Sequence, residues 1–125
     1  GDPRALDLLL EAASSDFALS VRRAAAKGLG NLRWSNLPPD AVPEAQMRAS
    51  NTLVLVSQDP EWVVRYAAIV GLEALASSAI ETQPSLARQI LDRFNELVET
   101  EGELAVLARL QLALQSLEQL KPVYS

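Results

Sequence analysis

A chain of 125 residues, 49% hydrophobic and 22% charged, has enough apolar material to fold, and its length suits one domain or one piece of a larger array. A net charge of -5 with only 11 Lys and Arg argues against nucleic-acid binding, because neutralising phosphates needs a basic surface. The absence of Cys and His excludes disulfides, thiolate and imidazole chemistry and most zinc sites, and fits a cytosolic protein.

Leu and Ala dominate while aromatics reach 5%, which favours helices over sheet. No apolar run approaches a membrane span, and no signal-peptide pattern is visible. The first residues, "GDPRALDLLLEAA", read as the middle of a repeat and begin with Gly1, so a fragment of a longer chain is expected.

In chain order, "PRALDLLLEAAS" (3–14) places Leu6, Leu9, Leu10 and Ala13 on one helical face. A second helix follows in "DFALSVRRAAAKGLGNL" (16–32). The linker "RWSNLPPDAVP" (33–43) holds Trp34 and three prolines; it is stiff and cannot be helical through Pro38 and Pro39. "PEAQMRASNTLVLVSQ" (43–58) starts on Pro43, which suits a first helical turn. "DPEWVVRYAAIVGLEAL" (59–75) carries an apolar stripe through Val64, Ala67, Ala68, Gly71, Leu72 and Leu75. A softer polar loop is expected over 76–84, then a helix over 85–99 with Ser85 as its cap, then "EGELAVLARLQLALQSL" (101–117). The core expected from these faces is Leu9, Leu29, Leu53, Leu72, Ile90 and Leu110.

The second helices repeat one another. Asp16, Val21, Arg22, Gly28, Leu29 and Leu32 recur as Asp59, Val64, Arg65, Gly71, Leu72 and Leu75, at an offset of 43 residues. A weaker third copy sets Val106 against Val64, with Leu107 in place of the arginine and Arg109 in place of an alanine, as though its outer face differed. A period near 40 with two helices per unit predicts an all-α, right-handed α-solenoid of about three helix pairs, near 3–32, 43–75 and 85–117, in a single domain over 1–125. Gly28 and Gly71 sit in helix interiors, where glycine costs about 1 kcal/mol relative to Ala, so close helix packing is expected to compensate.

The pattern resembles HEAT repeats. In that family an acid in the turn and an arginine six residues later pair between adjacent repeats, which gives Asp16, Arg22, Asp59 and Arg65 a stitching role. The wording is more particular still. "SVRRAAAKGLGNLRWSNLP", "AQMRASNTLVLVSQDPEWVVRYAAIVGLEALA" and "AVLARLQLALQSL" resemble the F subunits of the E/F-type phycobilin lyases of cyanobacteria and red-algal plastids, over nearly all of residues 17–117.

That resemblance implies an enzyme subunit. Paired with an E-type subunit, such a protein joins phycocyanobilin to a cysteine of the phycocyanin α subunit, and can also remove or transfer it. The bilin is a substrate, and no further cofactor and no metal are implied. Catalytic residues stay unassigned, because the thiol and the chromophore both come from outside this chain. The site of action would be the cyanobacterial cytoplasm or the plastid stroma. A conjugated tetrapyrrole with two propionates needs apolar walls and cations. The candidate bilin-binding residues are Arg22, Arg23, Trp34, Trp62, Arg65 and Tyr66. For the two tryptophans the plain alternative is packing, and for Arg23 and Tyr66 a solvated face. An isomerising lyase of the same group would carry a Cys/His motif that this chain lacks. A phycobilisome-degradation factor or an interaction scaffold of the same repeat type is the alternative function.

Overall fold

In a computed structural model, which describes residues 3–120, six α-helices are arranged as three successive antiparallel pairs. They are α1 (Pro3–Ser15), α2 (Leu19–Gly30), α3 (Val42–Val56), α4 (Trp62–Ala79), α5 (Pro84–Thr100) and α6 (Leu104–Leu120), with 3-10 turns at Trp34–Asn36 and Pro39–Ala41. No strand occurs among the described residues, and the fold is an all-α solenoid. No helix among them is long and apolar enough to cross a membrane.

Each second helix begins on the same small device. Asp16 accepts a hydrogen bond from the Ala18 N–H at 2.9 Å, Asp59 from the Glu61 N–H at 2.9 Å, and Glu101 from the Glu103 N–H at 3.0 Å. The acid thus holds the first free N–H ahead of the helix, where the backbone has no partner of its own. Ser85 caps nothing: α5 starts one residue earlier, on Pro84, whose missing N–H costs nothing at that position. The helix α4 also runs on to Ala79 through Ala76, Ser77 and Ser78, so the expected polar loop over 76–84 shortens to residues 80–83.

The helix α4 lies at the centre, in contact with α2, α3, α5 and α6. That position explains why it is apolar nearly all round, burying Val64, Ala67, Ala68, Ile69, Leu72, Leu75, Ala76 and Ala79. Leu29, Leu53, Leu72, Ile90 and Leu110 are fully buried, as the helical faces require. Leu9 is not. Leu6, Leu10 and Ala13 turn into the core, and Leu9 is half-buried against Gly28 instead.

The glycines show where backbones meet. A Cβ on Gly71 would stand 2.9 Å from the Ala26 carbonyl oxygen, and one on Gly30 would stand 2.6 Å from the Gly71 Cα. A Cβ on Gly28 would meet only the flexible end of Leu9, at 3.2 Å. Gly28 and Gly71 match in the repeat, yet the helix contact is made by Gly30 and Gly71.

Candidate functional site

The candidate residues fall at two opposite edges of the solenoid. Arg22, Arg23, Trp62, Arg65 and Tyr66 lie in the first turns of α2 and α4. Trp34 lies beyond the far end of α2, a helix of 12 residues and so about 18 Å long. The six do not converge on one place.

At the start edge the two stripe arginines are already engaged. The Arg22 guanidinium donates to both Asp59 carboxylate oxygens, at 2.8 and 3.2 Å, and to the carbonyls of Asp16 and Phe17. Arg65 repeats this one unit along. It donates to both Glu101 oxygens, at 3.0 and 2.9 Å, and to the carbonyls of Asp59 and Pro60. Each arginine therefore closes its own turn and grips the next repeat. Bidentate, charge-assisted bonds of this kind are strong and geometrically specific.

Protonation states follow the geometry. The bond to Asp59 holds Arg22 above its ordinary value, and the bond to Glu101 does the same for Arg65. Burial pushes the Glu101 carboxyl up, but hydrogen bonds from Arg65 and from the Glu103 N–H outweigh it, and the group sits below its ordinary value. The side chains of Asp59 and Glu101 are only 9% and 4% exposed, so withdrawing either arginine would strand a covered carboxylate. Neither arginine is available to a ligand without that loss. Arg23, Trp62 and Tyr66 are exposed on this edge and remain reachable.

The third copy's departures from the repeat suggest a differing outer face at Arg109. Arg109 instead reaches Glu73 of α4 at 2.5 Å with its side chain 17% exposed, and fastens the third pair to the second. Leu107, at the arginine position, leaves the third pair without the guanidinium that the first two offer.

The opposite edge holds a groove. The linker 33–43 folds back over the N-terminus of α3 and faces the end of α4, enclosing about 740 Å³. That is within the range of small-molecule sites, roughly 300–1,000 Å³. Leu32, Trp34, Leu37 and Val42 supply apolar wall, and Ser78, Thr82 and Gln83 the polar side. Trp34 is mostly buried. Arg33, exposed at the rim, makes no ion pair among the described residues.

Deeper in, Gln46 is 2% exposed. Its Oε1 accepts from the Gln83 Nε2 at 2.6 Å, and its own amide N–H groups have no protein partner among the described residues. A cation at the rim, apolar walls and an unspent donor at the base make a place for a largely apolar, carboxylate-bearing molecule. Of its residues only Trp34 is among the bilin-binding candidates that the sequence offers. No group of acids that could hold a metal occurs among the described residues.

Comparison with known proteins adds an independent line. The family description "PBS lyase HEAT-like repeat" matches residues 21–44. The chain is 51% identical over 112 residues to the "Phycocyanobilin lyase subunit beta" of Nostoc sp. strain PCC 7120, covering 90% of this chain and 54% of that protein. It is 51% identical over 123 residues to the "Phycocyanin alpha phycocyanobilin lyase CpcF" of Synechocystis sp. strain PCC 6803, covering 98% of this chain and 54% of that protein. The solved complex of CpcE and CpcF of phycocyanin lyase from Nostoc sp. PCC7120 contains a chain that superposes with a TM-score of 0.79 at 51% identity, covering 90% of this chain and 63% of that one. The chain thus spans about half the length of the relatives it matches.

Proposed function

Because the chain is a relative of the phycocyanobilin lyase β subunits, alike in sequence and fold over the span it matches, we propose that it works as an F-type lyase subunit. With an E-type partner it attaches phycocyanobilin to a cysteine of the phycocyanin α subunit. The observation that carries this reading is 51% identity over 98% of the chain to a protein named for that reaction. Its place of action is the cytoplasm of a cyanobacterium or the stroma of a plastid.

The reaction is an addition. The thiol sulfur bonds the exocyclic carbon of the bilin's ethylidene group, and the thiol proton ends on the ring carbon of the same double bond. Nothing leaves, so atoms balance without oxidant or metal. The part of a subunit described by this chain, without Cys or His, suits this chemistry if its work is to hold the bilin in one conformation beside the incoming cysteine. The groove at Trp34 fits one end of such a molecule. Arg33 takes a propionate, Leu32, Leu37 and Val42 face the rings, and the Gln46 amide donates to a lactam carbonyl. Arg22 and Arg65 hold the repeats together and do not touch the bilin.

The test is to mix the chain with an E-type subunit, phycocyanobilin and apo-phycocyanin α, and to look for a covalent, zinc-fluorescent band. A band that fades with Arg33→Ala supports the reading. Bilin that binds without forming a band assigns the chain to the non-catalytic binding proteins of this repeat type.

A further inference from the structure

We infer that Gln83 is a positioning residue for the groove: it fixes the Gln46 amide with its N–H groups toward the bound molecule, so that the base of the groove takes a hydrogen-bond acceptor, a lactam carbonyl of the bilin, and turns away a donor. The inference rests on the seating of one end of a bilin in the groove proposed above. Gln83 stands immediately before α5, where a side chain commonly caps its own helix, yet its side chain makes no cap bond there. The backbone holds the residue instead. Its N–H donates to the Ala79 carbonyl at 2.6 Å, and its carbonyl accepts from the Leu86 and Ala87 N–H groups at 3.0 and 3.2 Å. The side chain crosses to α3, where Nε2 donates to the Gln46 Oε1 at 2.6 Å and to the Pro43 carbonyl at 3.5 Å.

Those two contacts set the polarity of the pair. A carboxamide has the same shape either way round, and its neighbours decide which end is nitrogen. A carbonyl accepts and never donates, so the end of Gln83 beside Pro43 is nitrogen. The end of Gln46 that meets it is then oxygen. Gln46 therefore turns its own nitrogen away from Gln83. That nitrogen has no protein partner among the described residues, although Gln46 is 2% exposed and lines the groove.

A covered donor left unpaired is costly, and an acceptor on the ligand relieves that cost. A ligand that brought an N–H to the same place would set donor against donor. The groove thus discriminates by the chemistry at its base as well as by the size of its walls. A plain clasp between two helix starts would serve equally well with either amide reversed. Pro43 permits only one arrangement, and it is the one that offers N–H to the groove.

The experiment titrates the whole chain with phycocyanobilin and with its dimethyl ester, followed by absorbance. Gln83→Glu keeps the size of the side chain, but an ionised carboxylate accepts and does not donate. The Gln46 amide should then turn its nitrogen to that carboxylate and present oxygen to the groove. Gln83→Glu should bind the ester about tenfold or more weakly than the parent. The ester carries no propionate charge, so this loss is not repulsion between carboxylates, and a loss confined to the free acid overturns the inference. Gln46→Leu should weaken binding by a similar factor, and adding Gln83→Glu to it should weaken binding no further, because Gln83 acts through Gln46. Independent, multiplying losses overturn the inference. The side-chain N–H resonances of Gln46 give a readout that a merely structural clasp would not move. In the parent they should exchange with water and shift when the ester binds, and in Gln83→Glu they should be protected before any ligand is added. The same exchange in both chains overturns the inference. If Gln83→Glu loses helical signal, the parent decides: Gln46 resonances that shift on binding support the role, and resonances that stay in place overturn it. A parent that binds no bilin overturns the groove reading and this role together. A parent that binds bilin, with Gln83→Glu binding it equally, overturns this role alone.

Discussion

The start edge and the groove edge of the second helices use arginine in opposite ways. At the start edge Arg22 and Arg65 each make four hydrogen bonds inside the molecule. At the other end Arg33 stands at the rim of a groove with no ion pair among the described residues. The arginines that a repeat makes conspicuous are those that the stack consumes. Arg33, which stands open at the groove, lies in a linker that occurs once.

The largest effect should come from beneath both edges. Leu72 is fully buried, and Leu72→Ala should cost roughly 2–5 kcal/mol in urea unfolding, weakening the start edge and the groove together. A much smaller loss would mean that the two edges do not share a core.

The next test separates the edges directly. Arg65→Ala should cost about 1.5–3 kcal/mol of stability, because it strips Glu101 of its charged bonds. Arg33→Ala should change stability by less than about 0.5 kcal/mol. It should nonetheless slow bilin transfer about tenfold or more, if it holds a propionate. Equal destabilisation by both variants would break the comparison.

Acid should find the start edge first. The folded-state value of Glu101 lies below its unfolded one. Its contribution to stability is therefore present above the ordinary carboxylate range, and is lost as pH falls through that range toward the lowered value. Glu101→Gln should be less stable than the parent at neutral pH, and should lose less on acidification. Parallel pH profiles of parent and variant would count against the Arg65–Glu101 pair as the source.

The smallest effects belong to the exposed row at the start edge. Arg23→Ala and Tyr66→Ala should leave the unfolding midpoint nearly unchanged, within about 0.5 kcal/mol. With the bilin seated in the groove, both should also transfer it at the parental rate. Slow transfer in these two, with a normal Arg33→Ala, would move the bilin site to the start edge.

Repetition decided what could be read from the sequence. The acid and arginine ladder was legible because Asp16 and Arg22 recur as Asp59 and Arg65, and a spacing that recurs points to the contact that makes it. Glu101 was harder to see, since glutamate replaces aspartate and its own copy has Leu107 for arginine. The groove left no periodic trace. Gln46 and Gln83 meet across 37 positions from two different helix starts, and Arg33 sits in a linker without a counterpart. Register also misled. Gly28 aligns with Gly71, which points to a close contact at Gly28, whereas helix crossing places Gly30 there. The helix α4 runs past the expected start of the loop at Ala76, because Ala76 to Ala79 contain no residue that stops a helix.

The approach of Gly30 to Gly71 bears on how the groove meets a ligand. It fixes α2 against α4 backbone to backbone at the helix's last residue, while Arg22 and Asp59 fix the same two helices at the first turn. A rod held at both ends can neither tilt nor slide, and Leu32 to Trp34 leave it directly after the second hold. The wall they form therefore stands in place before any molecule arrives. A binder entering it meets little reorganisation of the backbone, and less of its contact energy is lost to ordering the protein. Gly30→Ala, by levering the helices apart at that point, should loosen the wall and reduce affinity without removing one residue that the ligand touches.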